Sequence, residues 1–274
     1  MSEPTLLPDR AVISISGQDA RHFLKGIVTQ DLDRLAPETA VFSALLTPQG
    51  KIIADFFVVD ANDSLLVDCD KANAPGLLKR LTLYKLRAKV SIDLVETLFV
   101  LAVDSKPSTA GLENAHVYRD VRCDGLGWRM IAPNNTGHAS TRYDENRIAH
   151  GVPEFGKDFG PDAMFLMDVN YDALNAVSYK KGCFVGQEVS SRMKRKGEPR
   201  RRTLIAEFEG EAAKNGGDVT AGGTKLGELM SRAGNIALAS IRMDRWGKAK
   251  TEKTPIECGG QAVQLRVPDY LEQG

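Results

Sequence analysis

The chain has 274 residues, which predicts about two or three domains, because a single hydrophobic core rarely grows to this size. A hydrophobic content of 42% and a charged content of 26% are ordinary for a soluble globular protein. The 36 Lys and Arg residues balance the 36 Asp and Glu residues, so the composition argues against a general binder of nucleic acids or membrane surfaces.

The sequence carries no targeting or metal-binding pattern. Its first residues lack a basic head followed by an apolar stretch, and no apolar run approaches the roughly 20 residues that span a bilayer. The cysteines are scattered and never form a C-x-x-C pair, which argues against a disulfide framework or a tetrahedral zinc site. We therefore expect a cytoplasmic protein with reduced thiols, no membrane partner and no bound metal. The cysteines are Cys69, Cys123, Cys183 and Cys258.

The first 150 residues predict helices that cover an antiparallel sheet, an α+β arrangement, because apolar strand-like runs alternate with helical patterns. Proline and glycine within residues 47–50 predict a four-residue turn between two strands. Residues 105–115 read as a loop. The predicted strands are 12–15, 41–46, 52–59, 65–69, 89–95 and 98–103, and the predicted helices begin near Ser16 to Asp19 or span 73–83 and 141–150.

A domain boundary is predicted near residue 200, within a basic run that contains glycine and proline. Beyond it, short β-like runs are separated by glycine-rich turns, which is typical of a small barrel. These runs are 203–208, 224–230, 236–241 and 262–267.

The most informative segment is 180–188, which reads Lys-Lys-Gly-Cys-Phe-Val-Gly-Gln-Glu. We expect the thiol of Cys183 to ionise readily, because the neighbouring lysines favour the thiolate. Glycine on either side leaves room for a ligand and permits unusual backbone angles. The alternative interpretation is a tight turn with an incidental buried cysteine. The candidate catalytic residues here are Cys183 and Lys181, and the signature loop adds Gly182, Gly186, Gln187 and Glu188.

Lys-Gly-Cys-aromatic-x-Gly-Gln-Glu resembles the signature of the YgfZ family. These are folate-binding proteins of iron–sulfur cluster maintenance, related to the aminomethyltransferase (T-protein) of the glycine cleavage system. Further resemblance covers most of residues 10 to 200. It lies in 16–31, 81–90, 170–174 and 177–179.

The resemblance implies an α+β fold of three domains in a ring, of the aminomethyltransferase type. A discontinuous folate-binding domain would comprise 1–46 and 116–170, and a ferredoxin-like domain 47–115 and 171–200. A C-terminal β-barrel would comprise 201–274. The implied cofactor is tetrahydrofolate or a one-carbon derivative, and the implied partners are iron–sulfur assembly proteins or client enzymes. Nucleic acid is not an expected partner.

The resemblance also implies folate-binding residues. Arg147 matches an arginine that T-protein relatives use for the ligand, and Asp55 sits where relatives carry a carboxylate that acts near the one-carbon nitrogen. Asp168 and Asn170 precede the signature and are expected to reach the same cavity. One departure is that relatives of the transferase type have a Gly-Glu-x-Gly bend, whereas residues 124–129 contain no glutamate. Trp128 is expected to stack on the pterin there.

Two other functions stay open at this point. The first is a folate-dependent aminomethyl or methyl transferase, for which Asp55 is the candidate carboxylate. The second is an interaction module in which the basic run 192–202, with seven Lys or Arg and one acid, docks RNA or an acidic protein. No aromatic residue interrupts that run, so base stacking finds no support. A solvated linker is the plain structural alternative.

Overall fold

The computed structural model describes residues 3–108, 113–197 and 199–272. The first two thirds of these residues form nine strands and four α-helices that precede the barrel. In chain order they are β1 (Thr5–Leu6), β2 (Arg10–Ser16), α1 (Ala20–Ile27), β3 (Val41–Leu46), β4 (Ile52–Asp60), β5 (Ser64–Asp70), α2 (Ala74–Lys85), β6 (Ser91–Leu94), β7 (Phe99–Val103), β8 (His116–Arg119), β9 (Trp128–Ala132), α3 (Arg142–Ala149) and α4 (Gln187–Arg195).

Two antiparallel sheets organise this region. The five-stranded sheet has the order β3-β4-β5-β2-β6, and the four-stranded sheet has the order β1-β7-β9-β8. Helices α1 and α2 cover one face of the larger sheet around buried Phe23, Leu24 and Leu77. Its other face shares a core with the four-stranded sheet, α3 and part of the barrel. This shared core is where a ligand or an ionic cluster can be enclosed by several elements at once.

Beyond residue 200 the elements are, in chain order, β10 (Arg201–Phe208), β11 (Asp218–Ala221), β12 (Thr224–Ala233), β13 (Ile236–Arg242), α5 (Met243–Thr251), β14 (Ile256–Cys258), β15 (Gln261–Arg266) and α6 (Asp269–Glu272). The six strands close into an antiparallel barrel of order β10-β13-β12-β11-β14-β15. The prediction of a C-terminal barrel is therefore confirmed. Two of its strands, β11 and β14, are short and were missed in the sequence.

The predicted division into three domains stays a prediction. Strands β3 and β4, on either side of the proposed boundary at residue 46, pair with each other in one sheet, as Val41 with Val58. The predicted loop over 105–115 lies partly outside the described residues.

Candidate functional site

The signature loop is held against the turn between β3 and β4 by two closely packed glycines. Gly186 has a φ of 80°, and a Cβ there would lie 2.6 Å from the backbone oxygen of Thr47. Gly50 in the facing turn has a φ of 82°, and its Cβ would meet Val189 of α4 at 3.1 Å. By contrast, a Cβ on Gly182 would meet no heavy atom within 4 Å. The close approach therefore requires glycine at Gly186, whereas Gly182 borders open space.

Cys183 is exposed at the outer side of this loop. The other three cysteines are less available as thiolates, because burial disfavours the charged form. Burial raises the pKa of the Cys69 thiol to about 12. Burial likewise raises the pKa values of Cys123 and Cys258. Gln187 is half-buried and Glu188 is exposed in the first turn of α4. The loop thus presents one accessible thiol.

Lys181 fixes the loop to the end of helix α1. Its ammonium donates to the backbone oxygens of Lys25 at 2.6 Å, Val28 at 2.5 Å and Gln30 at 3.2 Å. A cation suits the carbonyl end of a helix, where unpaired oxygens carry partial negative charge. Burial lowers the pKa of Lys181 to about 8. That Lys181 favours the thiolate stays a prediction, and its hydrogen bonds also give it an anchoring role.

A buried cluster of arginines and carboxylates occupies the shared core, and we call it the central ionic cluster. Arg129 donates to Asp68 at 2.9 Å and to Asp120 at 3.1 Å. Arg10 donates to Asp68 at 2.6 Å, and Arg122 donates to Asp120 at 2.7 Å. The arginines hold the pKa of Asp120 at about 2, despite burial that acts in the opposite direction. The cluster comprises Arg10, Arg122, Arg129, Arg147, Asp68, Asp120, Glu154 and Asp158.

Arg147, a predicted folate ligand, is buried within this cluster. Its guanidinium donates to Asp144 at 2.6 Å, Asp158 at 2.6 Å and Ser231 of β12 at 3.0 Å, and only 1% of the residue is exposed. It therefore connects α3 to the barrel. With a further bond to the backbone oxygen of Val152, four of its five N–H donors are used, so at most one is left for a ligand carboxylate.

Asp55 is a buried carboxyl with one unsatisfied oxygen. The hydroxyl of Tyr171 donates to Oδ2, whereas Oδ1 has no hydrogen-bond partner among the described residues. Burial raises the pKa of Asp55, and nearby Arg10 only partly offsets it. The Tyr171 ring in turn meets the ring of Phe42 edge-on, with centroids 5.1 Å apart. Asp55 thus lies behind an aromatic wall, with one acceptor available.

The remaining predicted folate residues hold the fold together. Asn170 donates to the backbone oxygen of Thr203 at 2.7 Å and to the hydroxyl of Tyr270 at 2.9 Å. These bonds join the segment before the signature loop to the barrel and to α6. Asp168 accepts from the Phe165 amide at 3.0 Å, and burial raises its pKa.

Trp128 lies apart from Asp55. Successive side chains of a strand point to opposite faces of the sheet. Arg129 of β9 points into the shared core, so Trp128 packs on the opposite face. The predicted residues Asp55, Arg147, Asp168, Asn170 and Trp128 are therefore not brought together around one cavity.

A groove beside Phe42 brings polar and cationic side chains together, unlike the scattered residues described above. One cavity of about 250 Å³ is lined by Gln30, Phe42 and the exposed cations Arg34 and Arg119. An adjoining cavity of about 450 Å³ shares part of the same lining. Together they reach the size of pockets that enclose small ligands. The shared lining residues are Val121, Asp124 and Asn175.

The central ionic cluster and the residues of this groove were not predicted from the sequence. One signal was present, because Arg129 stands between apolar residues of a strand, where an unpaired charge would be costly. Its partners Asp68 and Tyr143 lie far away in the sequence, so the pairing itself gave no local signal.

The sequence of the chain is similar to those of known proteins. Residues 200–273 match the family model described as the CAF17 C-terminal beta-barrel domain. The chain is 28% identical to the mitochondrial iron–sulfur cluster assembly factor IBA57 of Mus musculus, over 96% of this chain and 84% of the relative. It is also 28% identical to the Homo sapiens counterpart, with the same coverage. The chain is similar to these assembly factors along nearly its whole length.

The fold has a solved counterpart. The crystal structure of the glycine cleavage system aminomethyltransferase T from Bartonella henselae superposes with a TM-score of 0.77. The match covers 99% of this chain and 87% of that chain, at 16% identity. The predicted aminomethyltransferase-type α+β fold with a C-terminal barrel is therefore confirmed.

The prediction of a cytoplasmic location is wrong by this comparison, because the assembly factors to which the chain is similar are named as mitochondrial proteins. Within the described residues, no helix is long and apolar enough to cross a membrane. The His, Cys, Asp and Glu residues of the same ranges form no group of three or more that can hold a metal ion.

Proposed function

We propose that the chain is an iron–sulfur cluster assembly factor of the YgfZ type that acts through Cys183. The observation that carries this proposal is the exposed thiol in a loop fixed by Lys181 and Gly186, within a chain similar to named assembly factors over 96% of its length. A rigid loop presents the sulfur outward while its backbone stays in place. That arrangement suits a thiol that meets another protein.

The thiol of Cys183 works with groups supplied from outside the chain. Iron–sulfur clusters are usually held by four cysteine thiolates, so one thiol cannot hold a cluster alone. The other described cysteines are two buried thiols and one half-buried thiol. Cys183 therefore contacts a cluster, its donor or its acceptor during transfer, and iron–sulfur assembly proteins or client enzymes are the partners.

We further propose that a reduced folate binds in the groove beside Phe42. A folate needs polar groups for its pterin, an apolar or aromatic wall, and cations for its glutamate carboxylates. Arg34 and Arg119 offer cations at the exposed end, and Arg119 is also paired with Asp124 at 3.1 Å. The lining amides of Gln30 and Asn175 already donate to backbone oxygens at 2.7 and 2.8 Å, and the ring of Phe42 is buried. The cations fit the glutamate carboxylates, and a pterin would bind by exchanging the hydrogen bonds of the two amides. Bound tetrahydrofolate would supply a nitrogen able to carry a one-carbon unit.

A working aminomethyltransferase is disfavoured by the surroundings of Asp55. Its carboxyl already accepts the hydroxyl of Tyr171, and its pKa is raised by burial. A carboxyl behind an aromatic wall cannot approach a substrate nitrogen without rearrangement, although a general base must come within hydrogen-bond reach of the proton that it abstracts. The lack of a glutamate in 124–129 points the same way.

The assembly role is tested by complementation. Cells that lack their own homologous assembly factor would receive this chain, and the activity of a cluster-dependent dehydratase would be measured. Restored activity supports the proposal. A folded, expressed chain that restores nothing contradicts it.

The folate proposal is tested by calorimetric titration with tetrahydrofolate. Arg34→Ala should weaken binding several-fold, because a cation facing the glutamate carboxylates is lost. Arg87→Ala is the matched control, since Arg87 is also exposed but does not line the groove. No binding by the wild-type chain, or equal losses in both variants, would contradict this site.

A further inference from the structure

Helix α4 turns a strongly basic face outward beside the exposed thiol. Its inner side packs through Val189 and the buried Ser190, whose hydroxyl donates to Tyr179. Residues three and four apart share a face of a helix, so Arg192 and Arg195 point together to solvent. We call the exposed cations of this region the basic face. They are Lys180, Arg192, Lys194, Arg195, Lys196 and Arg200.

The charges of the basic face are not neutralised within the described ranges. None of its six cations forms an ion pair with a described carboxylate, although Arg202 nearby is paired with Asp172. Lys194 instead lies over the ring of Tyr179, 4.2 Å from its centroid. Like charges three or four residues apart on a helix destabilise it. Cations in the last turn gain from the helix dipole, and that gain is confined to the last turn and weakened by salt. An anionic partner would relieve the remaining repulsion.

The thiol and the basic face form one rigid unit. The backbone N–H of Gln187 donates to the Phe184 oxygen at 3.2 Å, which links the loop of Cys183 directly to the start of α4. A helix rises about 1.5 Å per residue, so the nine residues of α4 span roughly 14 Å. A partner that buries about 800 Å² of this protein would cover the cations and the sulfur at the same time.

We propose that the basic face docks an acidic protein surface and thereby brings that protein to Cys183. This inference rests on the assembly function proposed above, and it assigns the charge of the partner, which is the protein that delivers or receives the cluster. RNA is the weaker candidate, because Lys194 lies over the ring of nearby Tyr179 and the basic run 192–202 contains no aromatic residue. The zero net charge of the chain also gives no general attraction for nucleic acid.

The test uses a defined probe that reports docking and thiol contact together. A peptide of ten glutamates carries a terminal cysteine activated as a pyridyl disulfide, and a matched peptide carries ten serines. The thiolate of Cys183 attacks the peptide sulfur, a new disulfide forms, and the old one breaks. The leaving sulfur keeps the electron pair and takes up a proton as pyridinethione, whose absorbance gives the rate. A Cys123→Ser background and a Cys183→Ser control assign the reaction.

The measured quantity is the ratio of the rates with the acidic and the serine peptide. This ratio cancels any change in the ionisation of the thiol between variants. At low salt we expect a ratio of about ten or more, which falls as salt is raised. The triple variant R192E/R195E/K196E should bring the ratio to about one. The matched control R87E/K89E changes exposed cations far along the chain and should keep the wild-type ratio.

Two results would overturn the inference. A wild-type ratio near one, or a ratio unchanged in R192E/R195E/K196E, would show that the basic face does not guide an acidic partner. A uridine decamer with the same activated disulfide that reacts faster than the acidic peptide would assign the face to nucleic acid instead. Complementation tests the assembly function separately, so a failed docking test leaves that function standing.

Discussion

Replacing Gly186 with alanine should destabilise the junction between the signature loop and the β3–β4 turn. Its φ of 80° lies in the left-handed region, where a residue with a Cβ costs roughly 1–2 kcal/mol. The added Cβ would also lie 2.6 Å from the Thr47 oxygen and 3.0 Å from the Leu46 Cβ. Such overpacking typically costs about 1–3 kcal/mol. We therefore expect a total loss of about 2–5 kcal/mol in the free energy of unfolding.

The matched control is Gly182→Ala, in the same loop. Its Cβ would meet nothing within 4 Å, and its φ is not positive, so the expected change is within about 0.5 kcal/mol. Thermal unfolding followed by circular dichroism measures both variants. One kcal/mol corresponds to about 2–4 °C for a chain of this size, so Gly186→Ala should lower the midpoint by about 5 °C or more. Equal midpoints for the two variants would refute the steric reasoning.

Four further outcomes are expected. Arg147→Ala should lower the free energy of unfolding by about 3–5 kcal/mol in denaturant titrations, because it leaves buried carboxylates unpaired. Glu154→Gln should flatten the loss of stability between about pH 5 and pH 2, because arginines hold the pKa of Glu154 at about 2 and its stabilisation disappears as pH falls through that value. Asp55→Asn should leave the support of iron–sulfur enzymes nearly unchanged in complementing cells, since Asp55 is enclosed beside Tyr171 and residues 124–129 lack the glutamate of the transferases. Iodoacetamide at neutral pH should label Cys183 before Cys123 in peptide maps.

Each of these expectations has a clear contrary result. If the Arg147→Ala protein is stable but binds folate more weakly, Arg147 is a ligand-binding residue after all. If Glu154→Gln and the wild type lose stability equally as pH falls, Glu154 does not contribute to the pH dependence of stability. Loss of complementation by folded Asp55→Asn would revive the transferase interpretation, and faster labelling of Cys123 would make Cys183 a structural thiol.

The fold was largely predictable because its strands carry local signals. The turn within 47–50 and the glycine-rich turns of the barrel marked strand ends, and the observed β3, β4 and β5 lie close to the predicted ranges. Helix α4 was missed because Ser190 is its buried residue, so it lacks the apolar periodicity that identifies a helix. Its cations made it resemble a linker.

The candidate site was predictable only in part. The loop around Cys183 could be located because lysine, glycine and cysteine stand next to one another in the sequence. The roles of Arg147 and Asn170 depend on partners 84 and 33 residues away, Ser231 and Thr203. Such long-range contacts leave no mark on the local sequence. Resemblance to a family can suggest that a residue binds a ligand. Only the contacts of that residue show whether its hydrogen-bonding groups are free to do so.

The central claim is that Cys183 carries the assembly function, and Cys183→Ser tests it most directly. Cells lacking the homologous assembly factor would express the wild-type chain, Cys183→Ser or the matched control Cys123→Ser, and dehydratase activity would be compared at equal levels of folded protein. We expect activity to be lost with Cys183→Ser and retained with Cys123→Ser, because only the former removes the exposed thiol among the described cysteines. Full activity with Cys183→Ser would contradict the account.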